Sequence, residues 1–287
     1  MRANRKLSLA ALVLGAACAL VPMAAFAQPA ADRWTERWTY SVMPYVWLPS
    51  VDGNLRYGPP SAGGASPNVS ITADTWLGAI DFAFMLSAEA RKGRWLIATD
   101  FITLDLSSDS SAVRSIDFNP GSGAVNVSNT ALDTGSHTRL EGTVWTLAGG
   151  YAAVRDPHVS VDVIGGARYF RLEATTDWQL SATVSGPAGA QTFAGSGSIT
   201  KSEELWDAII GVRGRVRLGE GKWFVPYHLD AGAGDSRLTW QGVLGVGHSF
   251  KWGEIIFAYR YLSYQHDKGL VDELNFGGFG LGVNFRF

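Results

Sequence analysis

Residues 79–91 read AIDFAFMLSAEAR, and apolar and polar side chains alternate along much of this stretch. The apolar face carries Ile80, Phe82, Phe84, Leu86 and Ala88, and the other face carries Asp81, Ser87, Glu89 and Arg91. Successive side chains of a β-strand point to opposite faces of its sheet, so the pattern predicts a strand with one apolar and one charged face. A membrane barrel needs such strands, with lipid outside and a polar lumen inside. A soluble sandwich also produces alternation, so this stretch alone leaves both folds open.

Nine further segments show a period of two, which predicts ten strands in all. They cover residues 38–48, 94–106, 138–152, 159–173, 204–218, 223–233, 238–250, 254–264 and 274–287. Segments 94–106 and 138–152 alternate less cleanly, as expected where a β-bulge shifts the phase. Ten is an even number, which is what bacterial outer-membrane barrels require.

The connections between these segments alternate in length. Tight turns are predicted at 91–94 (RKGR), 155–158 (RDPH), 219–222 (GEGK) and 251–253 (KWG). Longer connections rich in small and polar residues occupy 49–78, 107–137 and 174–203, followed by the shorter 234–237 and 265–273. Short periplasmic turns that alternate with longer extracellular loops are typical of outer-membrane barrels. The sequence therefore predicts an all-β fold, a transmembrane antiparallel up-and-down β-barrel of ten strands.

The first 27 residues predict a cleaved signal peptide. Arg2, Arg5 and Lys6 precede an apolar run at 7–21, and an Ala-Phe-Ala cleavage site ends at Ala27. A membrane anchor is the alternative, because the run approaches the length that spans a bilayer, but Pro22 and the cleavage site disfavour it. We expect a signal peptide at 1–27, a short periplasmic segment at 28–37 and an outer-membrane barrel at 38–287.

Composition excludes several classes of protein. Charged residues make up 17% of the 287, below the roughly 25% of soluble domains. The net charge of -2 shows no basic excess, so nucleic acid is not an expected partner. The single Cys excludes a disulfide scaffold or a Cys-based zinc site. Outer-membrane lipids are the expected partner, with interfacial Trp at 95, 223 and 252 beside the short turns and at 47, 76, 206 and 240 near the opposite strand ends.

The phase of the strands predicts a charge network inside the barrel. Its acids are Asp81, Glu89, Asp100, Glu141, Asp162, Asp207 and Asp230, and its bases are Arg91, Arg139, Arg168, Arg213, Arg215, Arg260 and Arg286. Arginine pairs with carboxylates through a rigid fork, which suits the narrow interior of a ten-stranded barrel. The network either compensates buried charge only, or lines an ion path or a solute-binding lumen. Inward glycines at 245, 247, 278, 280 and 282 leave room for long Arg side chains or for a small passage.

Two features of the chain resemble known outer-membrane proteins. The chain ends in Asn284-Phe285-Arg286-Phe287. A terminal aromatic after an alternating strand resembles the signal read by the bacterial barrel assembly machinery, which implies that Phe285 and Phe287 are an assembly signal. The stretches PYVWLPSVDG (44–53), DFAFMLSAEARKGRW (81–95), GARYFRL (166–172) and YRYL (259–262) resemble those of a group of small, largely uncharacterised proteobacterial outer-membrane β-barrel proteins. That resemblance implies a porin-like or structural role and no catalytic residues.

No motif for catalysis, a cofactor or a metal stands out. His137 and His266 are predicted near the extracellular mouth, so a rim protease of the omptin type is an alternative, although the Asp-x-His spacing of that family is missing. Asp105, Asp109 and Asp117 suggest a Ca²⁺ site less well than a solvated acidic loop. We expect a non-enzymatic barrel without a cofactor, either a narrow channel for small solutes or ions or a structural envelope component. Surface recognition through 49–78, 107–137 and 174–203 is the alternative.

Overall fold

The computed structural model describes residues 36–55, 68–71, 80–108, 132–133, 137–186, 189–266 and 271–287. The predicted signal peptide at 1–27 and residues 28–35 of the predicted periplasmic segment lie outside the described residues, as do Trp76, Asp109 and Asp117. Over the described ranges, no helix is long and apolar enough to cross a bilayer.

The described residues form twelve β-strands. They are β1 Trp38–Leu55, β2 Asn68–Ile71, β3 Ile80–Lys92, β4 Trp95–Ser108, β5 Leu132–Asp133, β6 His137–Arg155, β7 Val159–Gly186, β8 Gly189–Arg217, β9 Trp223–Gly234, β10 Leu238–Ser249, β11 Glu254–Gln265 and β12 Val271–Arg286. Ten of them form a closed antiparallel barrel, and the short strands β2 and β5 add to the ends of β1 and β7. The predicted all-β, ten-stranded barrel is therefore confirmed.

The barrel closes between its first and last long strands. β1 pairs with β12 from Ser41 opposite Arg286 to Leu55 opposite Val271. Tyr40 and Phe287 extend this seam, because each donates its backbone N–H to the carbonyl of the other, at 2.8 and 3.0 Å. Closure satisfies the backbone of both edge strands, which hydrocarbon requires since it offers no hydrogen-bonding solvent.

Four tight turns lie at the same end of the barrel as the strand ends Trp38 and Arg286, and we call this the turn end. In the turn between β3 and β4, Gly93 has a φ of 56°, and Gly219 has a φ of 62° in the turn between β8 and β9. Glycine is favoured at both positions because a Cβ disfavours positive φ. The opposite end, where β7 and β8 project furthest, is called the loop end.

The hairpin of β7 and β8 overturns one prediction. Residues 174–203 were predicted to form a long loop, but β7 continues to Gly186 and β8 begins at Gly189. The two strands pair without interruption from Val159 opposite Val216 to Gly186 opposite Gly189. Their outer part, which we call the ribbon, spans residues 178–186 and 189–197 and extends past the last pair of β6 with β7, at His137 and Asp177.

The outer face of the barrel is apolar and carries aromatic side chains near both ends. Trp95, Trp223 and Trp252 are exposed at the turn end, and Trp206 is exposed towards the loop end. Trp47 differs from its predicted interfacial position, because its side chain points inward and is buried. Odd-numbered residues of β1 face the interior, so period-two counting places Trp47 with Tyr45 and not with the lipid-facing Val46.

The wall between β1 and β3 is interrupted near its middle. Their pairing runs from Trp38 opposite Lys92 to Pro44 opposite Leu86, and it stops there. Proline has no backbone N–H, so Pro44 and Pro49 each remove one donor from this stretch of β1. The backbone N–H of Trp47 instead donates to Met85 Sδ at 3.1 Å.

Candidate functional site

The interior of the barrel is layered from the turn end to the loop end. Nearest the turn end lies a group of charged side chains that we call the mouth network. It comprises Glu89, Arg91, Asp162, Arg213, Arg215, Glu254 and Arg286. Each of these residues lies on the inward face of its strand, where every second side chain enters the lumen.

One half of the mouth network is built on β3, β7 and β8. Arg91 donates from two nitrogens to the Asp162 carboxylate at 3.0 and 2.6 Å, a bidentate pair across the lumen. Arg91 Nε also donates to Glu89 at 2.9 Å, and Arg213 pairs with the other oxygen of Glu89. Two guanidinium groups therefore share Glu89, and Arg91 is held on both sides.

The other half is built around Glu254, the first residue of β11. Arg215 donates to both of its carboxylate oxygens at 2.7 and 3.1 Å, and Arg286 pairs with the same carboxylate. Asn284 and Ser249 complete the set with hydrogen bonds of 3.0 and 3.1 Å to Glu254. Among the side chains of the mouth network, four arginines face three carboxylates, an excess of one positive charge.

A cavity of about 330 Å³ extends from the mouth network at the turn end into the lumen. Its charged lining includes Arg91, Arg213, Arg215 and Arg286, and Met43, Ile164, Val243, Ile256 and Ala258 give it apolar walls. At its inner end it reaches Trp47, Asp100, Gln241 and Arg260. The cavity is therefore amphipathic, with its uncompensated charge nearest its opening.

A second layer, the central belt, closes the inner end of the cavity. In its first part, Arg168 on β7 donates to both oxygens of Asp230 on β9, at 2.7 and 2.8 Å, and both side chains are fully buried. Thr146, Thr239 and Gln241 add hydrogen bonds of 3.2 to 3.3 Å to this pair. His228 also contacts Asp230, so four further side chains hold the ion pair in place.

The second part of the central belt spans β1, β4 and β11. Arg260 Nη1 donates to Asp100 at 2.8 Å and to Tyr45 Oη at 3.1 Å, and the Tyr45 hydroxyl donates to Asp100 at 2.8 Å. The guanidinium carbon of Arg260 lies 5.0 Å from the ring centre of Trp47, whose Nε1 donates to the Gly278 carbonyl at 3.1 Å. The Arg260–Trp47 geometry fits a cation–π contact.

Beyond the central belt, apolar side chains fill the lumen towards the loop end, and we call this group the apolar plug. Its members are Trp47, Val51, Met85, Ile102, Leu104, Leu140, Val144, Phe170, Leu172, Ala174, Leu205, Leu262, Tyr264 and Leu274. Phe170 is 1% exposed, and its ring centre lies 4.4 Å from Tyr264 and 6.3 Å from Phe276. The described residues thus leave an interior that is packed at the loop end and hollow at the turn end.

Three of the fourteen residues predicted to line the lumen do not do so. Arg139 and Glu141 are exposed on the outer face of β6, while Leu140 and Val144 enter the apolar plug. The prediction turned the charges of β6 inward, but the inward side chains of β6 at this height are apolar. Asp81 is exposed at a bulge between Ile80 and Phe82, and within the described residues it forms no ion pair.

The other eleven lie inward, and the structure adds partners that the sequence analysis missed. Ten of them form the contacts of the mouth network and central belt, and Asp207 instead accepts the Ser236 backbone N–H at 2.9 Å near the loop end. Glu254 and His228 were not predicted. Glu254 lies six residues before Arg260 and His228 lies two residues before Asp230. Both therefore share the inward face of a predicted lumen residue, and the period-two pattern could have identified them.

At the loop end, His266 Nε2 lies 3.2 Å from a carboxylate oxygen of Glu203, and both side chains are largely buried. Asp267 lies outside the described residues, and for His137 only the backbone is described. Among the described residues, no group of three or more His, Cys, Asp or Glu side chains is placed to hold a metal ion.

No family model and no curated protein matches this chain. The outer-membrane protease OmpT from Escherichia coli matches with a TM-score of 0.52 at 13% identity, over 88% of this chain and 98% of that chain. Ail, the attachment invasion locus protein of Yersinia pestis, matches with a TM-score of 0.31 at 12% identity, over 88% and 100%. A Pseudomonas aeruginosa FadL homologue gives 0.30 at 10%, over 92% and 93%. At these identities the likeness concerns the fold, that of bacterial outer-membrane β-barrels.

Proposed function

We propose that this chain is a non-enzymatic outer-membrane barrel that serves as a closed component of the envelope and not as a through channel. The turn end then faces the periplasm and the loop end the outside, as in outer-membrane barrels generally. The observation that carries the proposal is the apolar plug. It occupies the lumen between the fully buried Arg168–Asp230 pair and the loop end. An ion crossing the barrel would have to leave water at the plug, and an isolated charge in an apolar environment is strongly unfavourable.

Single-channel recording tests the closed barrel. We expect the refolded chain to give no discrete conductance steps in planar bilayers across a range of salt concentrations and voltages. Heat-modifiable electrophoretic mobility of the same preparation serves as the control for a folded barrel. Steps of one reproducible size would contradict the proposal and favour the narrow channel.

The ribbon of β7 and β8 supports surface recognition as a second candidate function. Its nine paired residues in each strand project about 30 Å at the rise of an antiparallel strand. Among the described residues, the ribbon pairs with itself and, at Leu180 and Ser181, with β5, and unpaired strand edges are sites where a partner chain can add.

Truncation of the ribbon separates this candidate from a purely structural barrel. Replacement of residues 178–197 by an Asn-Gly turn is expected to leave heat-modifiable folding unchanged, because no barrel strand other than β7 and β8 pairs there. If the ribbon mediates recognition, bacteria displaying the full chain attach to host cells and bacteria displaying the truncated chain do not. Equal attachment by both, or by neither, would exclude the ribbon as an adhesive element.

A further inference from the structure

The mouth network leaves its positive charge on two particular arginines. Arg91 has Asp162 as a second carboxylate partner and is 9% exposed at its side chain. Among the described residues, the ion pair of Arg213 is with Glu89, which it shares with Arg91, and that of Arg286 is with Glu254, which it shares with Arg215. Arg215 binds Glu254 through two nitrogens, whereas Arg213 and Arg286 each reach their shared carboxylate through one, so these two are the least compensated charges of the network.

Both of these guanidinium groups retain donors for a ligand. A guanidinium carries five N–H groups in a fixed planar fork. Arg213 and Arg286 each use one nitrogen in the contacts above, and their side chains remain 27% and 24% exposed. Both residues line the turn-end cavity.

The cavity itself has the dimensions and lining of a small-molecule site. A volume of about 330 Å³ lies at the lower end of the range for ligand pockets, which are mostly apolar with a few polar groups that orient the ligand. Met43, Val243 and Ile256 provide apolar contacts behind the arginines. The central belt ends the cavity there, so a ligand enters and leaves at the turn end.

We propose that the turn-end cavity binds a small monocarboxylate with a short apolar body. The carboxylate lies at the mouth against Arg213 and Arg286, which suit it because guanidinium groups bind carboxylates with two parallel hydrogen bonds. The apolar body lies deeper, against Met43, Val243 and Ile256. One excess positive charge matches one carboxylate, whereas a phosphate monoester carries about −1.5 to −2. Binding in this cavity does not depend on whether the barrel conducts ions, so the proposal goes beyond the proposed function.

Calorimetric titration of the refolded full chain tests this site, with hexanoate as the probe. We expect saturable binding of hexanoate, with no binding of 1-hexanol or hexylammonium at the same concentrations. In Arg286→Gln and, separately, Arg213→Gln, we expect hexanoate affinity to fall about tenfold or more, as loss of a charge-assisted hydrogen bond implies. Arg171→Gln is the matched control, because Arg171 lies on the outer face near the loop end. The affinity of this variant for hexanoate should equal that of the unmodified chain.

Heat-modifiable mobility shows which variants have folded, and Arg286→Lys retains the charge if Arg286→Gln does not fold. A lack of saturable hexanoate binding would overturn the site. Equal affinity in all variants, or equal binding of hexanol, would also overturn it, because the arginines would then play no part. Tighter binding of hexyl phosphate than of hexanoate would overturn the assignment to a monocarboxylate.

Discussion

Replacing Asp230 by Asn is expected to lower the free energy of unfolding by about 3–5 kcal/mol, the range for a buried ion pair that loses one partner. The substitution keeps the size of the side chain, so the loss comes from charge and not from a cavity. Arg168 would remain fully buried, with Thr146 and Thr239 as neutral partners and no carboxylate. Urea titration of the refolded barrel, followed by tryptophan fluorescence, measures the change.

A second substitution separates the charge effect from simple damage. Adding Arg168→Met to Asp230→Asn removes the orphaned charge, so the double variant should be more stable than Asp230→Asn alone. An Arg171→Met variant on the outer face of the same strand, where the side chain is exposed, should behave like the unmodified chain. A loss below about 1 kcal/mol in Asp230→Asn, a value typical of exposed pairs, would contradict the burial of this ion pair.

Phe170→Ala is expected to cost about 3–5 kcal/mol of unfolding free energy, the range for removing a buried aromatic side chain. Phe170 is 1% exposed within the apolar plug, between Tyr264 and Phe276. Tight packing on all sides leaves little room for the neighbours to close the cavity that the substitution creates. The same urea titration measures the effect.

Phe170→Leu is the matched control for this prediction. Leucine keeps most of the apolar volume, so its loss should be clearly smaller than that of alanine. Equal losses for the two variants, or an alanine variant as stable as the unmodified chain, would show that Phe170 is not packed as described.

The ten strands were predictable because period-two alternation reports which side chains face lipid. Residues 82–91 keep one phase after the bulge at Asp81, and their faces are those expected, with Phe82 and Phe84 outside and Glu89 and Arg91 inside. The ribbon was not predictable in this way. Residues 178–197 are rich in Gly, Ser, Thr and Ala, so they resemble a loop, and what makes them strands is backbone pairing between β7 and β8.

The side chains that face the lumen were predictable mainly in the half of the barrel nearest the turn end. Near the turn end, charged residues mark the inward face, and eleven predicted charges do lie inward along the barrel. Near the loop end most inward side chains are apolar, apart from Asp207, Glu203 and His266, and the outer face of β6 carries Arg139 and Glu141. Polarity alone therefore indicates the wrong face there. Trp47 was likewise assigned to the wrong face, because it packs against Arg260 in the interior and does not face lipid.

The seam between β1 and β12 has a consequence for the order of events in folding. Its two strands come from opposite ends of the chain, with Ser41 opposite Arg286, so the barrel stays open until the last strand is available. Pairing between such distant segments is intrinsically slow, because it closes a long loop of chain first. Throughout that interval β1 and β12 both present unpaired edges, which favour aggregation. A chain built in this way needs protection of those edges while it waits to close.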